Sequence, residues 1–139
     1  MDSLTIPVNP ISVLVVDEEP SILVFIARVL DANGMRALLA CNSSEAVGIA
    51  ERNYIPIDLI LTSAAVLELR EPELLDRLRS IRPGVRDLRM AACVDHGVVR
   101  IQLIAGGAGM KTAVSDDGLV ESIRKSAGTP LVRRAGCLN

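Results

Sequence analysis

Apolar residues follow two rhythms along this chain. Short unbroken runs alternate with stretches in which apolar side chains recur every third or fourth position. An unbroken apolar run reads as a strand buried on both faces, and the wider spacing as an amphipathic helix. The first run, Ile11 and then Val13 to Val16, stops at three carboxylates, Asp17, Glu18 and Glu19. Pro20 and Ser21 lead into Ile22, Phe25, Ile26, Val29 and Leu30 at helical spacing, with a stop at Asn33-Gly34. Residues 35–41 predict a second strand, and Asn42 with Glu45 caps a helix over residues 44–52. Residues 57–62 predict a third strand and residues 63–70 a loop. Pro72 then opens a helix carrying Leu74, Leu75, Leu78 and Ile81, closed by Pro83-Gly84.

The last third reads less cleanly. Residues 85–93 predict a fourth strand, although Arg86, Asp87 and Arg89 suit a central buried strand badly and leave its register open by a residue or two. Val98, Val99, Ile101, Leu103 and Ile104 predict a fourth helix, ended by Gly106, Gly107 and Gly109. Residues 110–114 predict a short last strand. Ser115 caps a final helix to about Ala127, with Asp116 and Asp117 in its first turn. Strand and helix thus alternate five times. With right-handed crossovers this is an α/β fold, a doubly wound five-stranded parallel sheet with helices on both faces. Residues 1–10 form a lead-in with two prolines, residues 11–127 one domain, and residues 128–139 a tail.

Composition narrows the function. The chain has 139 residues and is 50% hydrophobic, yet carries one Phe, one Tyr and no Trp. The core is therefore aliphatic, and stacking platforms for bases or sugars are missing. A net charge of −2 gives no electrostatic case for nucleic acid. The mean hydropathy of +0.38 is compatible with apolar surface kept for a partner, though any aliphatic α/β domain is apolar. Cys41, Cys93 and Cys137 follow no pairing or metal motif, and residues 1–10 lack the basic start and apolar run of an export signal. No apolar stretch approaches the roughly 20 residues of a membrane helix. The expectation is a soluble cytoplasmic protein with reduced thiols.

The segments VLVVDEEPSI, DLIL and ELLDRLRSIRPG resemble the receiver domain of bacterial two-component response regulators, over nearly the whole of residues 11–127. The resemblance implies a flavodoxin-like sheet of order 2-1-3-4-5. It also implies a pocket at the carboxyl edge of that sheet. There an aspartate ending the third strand accepts a phosphoryl group and acids ending the first strand bind Mg²⁺. A Ser or Thr ending the fourth strand and a Lys after the fifth contact the phosphoryl oxygens. Asp17 and Glu18 match the metal-binding acids. The acceptor position holds Ser63, the hydroxyl position falls at Ala92 (or its neighbours Ala91 and Cys93), and the lysine position falls nearest Thr112, with Lys111 one residue away.

Two carboxylates without a third make a weakened Mg²⁺ site, and no cofactor is required. The chain then reads as a degenerate receiver, not an enzyme and not phosphorylated on aspartate, working through protein contacts. By family analogy its partner, a histidine kinase, an output protein or a second copy of itself, would use the face of the fourth helix, fifth strand and fifth helix. Neither nucleic acid nor membrane is expected. Two other readings stay open. One is phosphorylation at a rearranged site such as Asp58 or Ser63. The other is nucleotide binding through AGGAGMKT, residues 105–112, where Met110 breaks the phosphate-loop register and the stretch does not follow a first strand. Ser63 as a hydrolytic nucleophile lacks both a GxSxG turn and a base. His96 reads as a loop or helix-start residue, Cys93 as core or pocket wall, Cys137 as a tail thiol, and Arg133-Arg134 is too short for nucleic acid.

Overall fold

A computed structural model describes residues 10–104, 111–114 and 116–128, with residues 111–114, 116 and 117 given by their backbone. The strands are β1 (Ser12–Val16), β2 (Arg36–Ala40), β3 (Leu59–Ser63), β4 (Arg86–Asp95), β5 (Val98–Ile104) and β6 (Lys111–Val114). The helices are α1 (Pro20–Ala32), α2 (Ser43–Ala50), α3 (Leu74–Ile81) and α4 (Asp116–Ala127). The lead-in, the glycine stretch and the tail fall outside the described residues.

All five residues of β1 are buried. Its side chains alternate between two cores, as a pleated strand dictates. Val13 and Val15 join the helices α1 and α4, while Leu14 and Val16 join α2 and α3. Pro20 stands in the first turn of α1, where its missing N–H costs nothing. At α2 the Asn42 Oδ1 accepts from the Glu45 N–H at 2.8 Å. The Glu45 carboxylate reaches back one residue further than a standard capping box, accepting from the Cys41 N–H at 2.8 Å.

The sheet has six strands in the order β2-β1-β3-β4-β5-β6. β2, β1, β3 and β4 are mutually parallel, β5 is antiparallel to β4, and β6 is antiparallel to β5. β6 therefore runs parallel to β4. Without β5, five parallel strands stand in the flavodoxin-like order 2-1-3-4-5; β5 is a sixth, antiparallel strand set between the last two.

This corrects the expected fourth helix. Val98 to Ile104 is a strand, and the reason lies in its side chains and its turn. Val99, Ile101 and Leu103 alternate with Val98, Arg100 and Gln102, a period of two that the helical reading passed over. β-branched residues favour the pleated sheet over the helix. Asp95 pairs with Val98, leaving a two-residue turn at His96 and Gly97, both left-handed at φ 52° and 78°. That is the geometry of a tight hairpin. His96 is thus a hairpin-turn residue.

The charges on β4 are explained in the same way. Leu88, Met90 and Ala92 pack inward on the α1–α4 core, while Arg86 and Arg89 are exposed. Asp87 pairs with Arg79 of α3. Residues 63–70, expected as loop, turn helically from Ala64, with a wide π-type turn over Val66–Arg70 that buries Val66 and Leu67.

Replacing Gly97 tests the hairpin turn. At a left-handed position alanine is strained, whereas at an ordinary negative φ it is tolerated. Gly97→Ala should lower the urea midpoint, and His96→Asn, which accepts left-handed φ more readily, should raise it. The opposite pair of signs would contradict the hairpin.

Candidate functional site

The carboxyl ends of β1 and β3 bring Asp17, Glu18 and Ser63 to one edge of the sheet; Ala91, Ala92 and Cys93, expected to end β4, lie inside that strand, since the hairpin carries β4 on to Asp95. Asp17 follows β1 directly. It is 6% exposed, and its Oδ1 accepts the Glu19 N–H at 2.8 Å. This is an Asx turn that reverses the chain into α1. Burial pushes the Asp17 carboxyl above its ordinary pKa, the Glu19 N–H opposes that, and the neighbouring charges of Glu19 and Glu18 add to it.

Glu18 points elsewhere. Its Oε2 meets the Arg70 Nε at 3.1 Å, an ion pair between the end of β1 and the turn after β3. Both side chains are about half or more exposed, so the pair contributes little stability. No spacing rule pointed to Arg70, because the segment carrying it read as a featureless loop.

Ser63 ends β3 and is buried. Its Oγ accepts the Val66 N–H at 3.4 Å, three residues on, the N-cap arrangement for the helical turn that follows. Among the described residues no hydrogen bond joins that oxygen to a basic side chain. His96 is in the hairpin turn, where it lies 3.4 Å from the Asp95 carboxylate. Ala92 is half-buried against the α1–α4 core, and Cys93 is exposed in the wall of a neighbouring cleft. No hydroxyl is supplied at Ala91, Ala92 or Cys93. On β6, Lys111 stands in register with Ile104 and Thr112 with Leu103; which of the two side chains reaches the pocket lies outside the described residues.

Asp58 sits at the opposite end of β3, where its Oδ2 accepts the Ser12 N–H at 2.8 Å and its own N–H donates to the Ser12 carbonyl. It is separated from Asp17 and Ser63 by the length of the strand. A shared phosphorylation pocket containing Asp58 is therefore not formed. The interface expected on a fourth helix also loses that helix, since the segment is β5.

The fold family implies Mg²⁺ at the acids. The donors present do not fit it: one carboxylate is held by Arg70, the third position is a serine hydroxyl spent as a cap, and no group of three His, Cys, Asp or Glu side chains converges among the described residues.

No protein-family model matches the sequence, and no curated relative does. Solved structures do. The receiver domain of the hybrid histidine kinase CckA is 29% identical, covering 56% of this chain and 72% of its own length with a TM-score of 0.51. A response regulator receiver domain from Clostridium thermocellum is 28% identical over 57% of this chain and 63% of its own, with the same TM-score of 0.51. A CheY-like receiver from Methanospirillum hungatei JF-1 covers more, 89% of this chain and 98% of its own at a TM-score of 0.65, and its 18% identity speaks to the fold alone. The fold is therefore that of the CheY-like receiver domain, the module of two-component signalling, here carrying an inserted strand. No helix among the described residues is long and apolar enough to cross a membrane.

Asp17→Asn tests how the buried acid is used. A carboxyl whose folded pKa lies above its unfolded value holds its proton more tightly when folded. Stability therefore falls as pH rises from the unfolded value through the folded one. The amide keeps the acceptor for Glu19 without the charge, so the variant should be the more stable protein at neutral pH in chelator-treated buffer. That advantage should disappear below the ordinary carboxylate range, and millimolar Mg²⁺ should move neither urea midpoint. A less stable variant at neutral pH would show that the ionised form is held by an unseen partner.

Proposed function

We propose that this chain is a receiver-type signalling module that is not phosphorylated on aspartate and acts through protein–protein contacts. The observation that carries this reading is the state of Ser63. At the acceptor position there is a hydroxyl, not a carboxylate, and its oxygen takes the Val66 N–H in capping the following turn. A phosphoryl acceptor at neutral pH wants an ionised nucleophile and positive charge around the transferred group. A neutral serine hydroxyl is no such nucleophile, and the pairing of Glu18 with Arg70 competes with a cation that would supply the charge.

The partner is a protein: a histidine kinase, an output protein or a second copy of the chain. Receiver domains in a hybrid histidine kinase and in an HD domain-containing protein support this choice. Cys41 and Cys93 are free thiols, which suits a cytoplasmic site of action. The module needs no cofactor and catalyses no reaction of its own. The alternative of phosphorylation at Asp58 is disfavoured by its place at the amino end of β3, where its carboxylate accepts the Ser12 N–H.

Incubation with acetyl phosphate and Mg²⁺, followed by intact-mass and peptide mass spectrometry, should leave the chain unmodified. Beryllofluoride with Mg²⁺ should leave the amide resonances around Ser63 in place. Ser63→Ala should cost about 0.5–1 kcal/mol through loss of the cap. Ser63→Asp should keep the cap but lose stability at neutral pH, because it sets a second buried carboxylate beside Asp17, and it should acquire little or no phosphate because Ala92 provides no hydroxyl. Efficient phosphorylation of the aspartate variant, or of the natural chain, would overturn the reading.

A further inference from the structure

The ends of β3 and β4 are staggered. β3 pairs with β4 as far as Ser63 and Met90, while β4 runs on to Asp95, paired all the way with β5 on its other side. The overhang from Ala91 to Asp95 is roughly 17 Å long at the rise of an antiparallel strand. Its backbone directions follow from the turn. His96 and Gly97 both have left-handed φ, and in that two-residue turn the closing residues, Asp95 and Val98, exchange both hydrogen bonds. Alternation gives the same paired bonds to Cys93 with Arg100 and to Ala91 with Gln102. Ala92 and Val94 belong to the other set. Their N–H and C=O groups point away from β5, into the line that β3 would follow if it continued. Met90, the next in that set, stands where β3 pairs.

Among the described residues, no hydrogen bond reaches Ala92 or Val94 from that side. The chain turns away at Ala64, and beside the overhang lies a cleft of about 610 Å³, with Ala65 and Leu69 on one side and Ala91 and Ala92 on the other. Glu68 and Arg100 both line it, so its walls favour neither sign of charge. Exposed sheet edges usually carry a charge, a proline or a bulge that discourages a further strand. Residues 90–94 read MAACV, with neither charge nor proline, and their register against β5 runs unbroken. Val94 is 44% exposed.

We propose that the edge of β4 at Ala92 and Val94 docks an extended, uncharged segment of a protein partner, which adds a strand to the sheet in the line of β3. The backbone selects that occupant. N–H and C=O groups presented at every second residue of a straight edge are matched by another extended chain, whereas a helix has already used its own. Strand addition at an exposed edge is a common mode of peptide recognition. The opposite signs of Glu68 and Arg100, among small apolar side chains, suit an uncharged segment. A second copy is a poor fit. Antiparallel pairing of Ala92 with Val94 of another copy would bring that copy's His96 opposite Met90, where Ser63 already stands. The proposal rests on reading the chain as a contact module, but not on the chemistry of Ser63.

Two short synthetic peptides of alternating threonine and valine, capped at both ends, serve as probes of the intact chain. One has an ordinary backbone. The other is N-methylated at every residue, which keeps the side chains and removes the backbone donors. In the free chain the amides of Ala92 and Val94 should exchange with solvent quickly and those of Cys93 and Asp95 slowly, as read by NMR. The ordinary peptide, at about ten times its Kd, should slow Ala92 and Val94 about tenfold and leave Cys93 and Asp95 unchanged. The methylated peptide should slow neither pair. Val94→Pro removes an edge donor without touching a bond to β5, so it should keep the circular dichroism of the fold and weaken the ordinary peptide about three- to tenfold. If that variant unfolds, the exchange pattern of the natural chain still decides. Absence of binding, equal binding of the two peptides, or protection along β2 in place of Ala92 and Val94 would overturn the proposal. So would slow exchange of Ala92 and Val94 in the free chain: lost on dilution it means a second copy, and kept on dilution another segment of this chain. Phosphorylation assays read a different property, so a failed titration leaves the proposed function standing.

Discussion

β1 must be dry on both faces, and the arrangement of the domain follows from that constraint. Val13, Leu14, Val15 and Val16 are all fully buried, each contributing about 1.5–3 kcal/mol relative to exposure. A strand of that kind cannot lie at an edge or face water. It has to take neighbours on both sides, which are β2 and β3, and helices above and below. Once those are set, the chain leaves β1 at its carboxyl end with no further room for apolar residues, and the acids begin. Asp17 is caught at that boundary, buried by the strand it follows and held by the Glu19 N–H of the helix it precedes.

The insertion of β5 changes the balance between the two layers. An antiparallel strand adds hydrogen-bonded width to the sheet but covers neither face, whereas a crossover helix covers one. The α1–α4 face can accommodate the exchange because Ile101 and Leu103 extend its core. The opposite face gains only more sheet to cover. Beyond Ser63 the hairpin of β4 and β5 also projects past the end of β3, since β3 pairs β4 only as far as Met90 while β4 pairs β5 as far as Asp95. The carboxyl edge, where a doubly wound sheet gathers its ligands, is thus overhung by a ribbon with Val94 and Val98 exposed.

Where two physical signals agreed, the structure was legible from residues alone. The buried β1 run, the Asn42–Glu45 cap and the Pro20 start of α1 each join a pattern to a boundary residue, and each stands where expected. The expected Ser63 also falls at the end of β3. The hairpin was missed because a dense aliphatic run such as Val98–Ile104 satisfies helical and strand spacing together. The deciding feature was the His96-Gly97 turn before it, a weaker version of the familiar Asn-Gly signal. The charges of β4 misled for a related reason. They argue against a strand buried on both faces, and β4 is covered on one. Arg70 escaped because an ion pair between distant segments leaves no periodic trace.

The acids at the edge invite a metal, yet local backbone chemistry already accounts for both the acid and the serine that stand deepest in the pocket. A buried aspartate at a strand-to-helix reversal satisfies the Glu19 N–H, and a buried serine at the next strand-to-helix reversal satisfies the Val66 N–H. Unpaired N–H groups at buried helix starts cost of the order of 1–3 kcal/mol, so a short polar side chain is wanted at both places whatever the chemistry overhead. Serine meets that need as well as aspartate does, without the cost of a second buried charge beside Asp17, whose carboxyl burial and its acidic neighbours already disfavour in the ionised form. Two buried carboxylates side by side would repel. Ser63 relieves that repulsion while keeping the cap, and Arg70 supplies Glu18 with a fixed positive charge from within the chain.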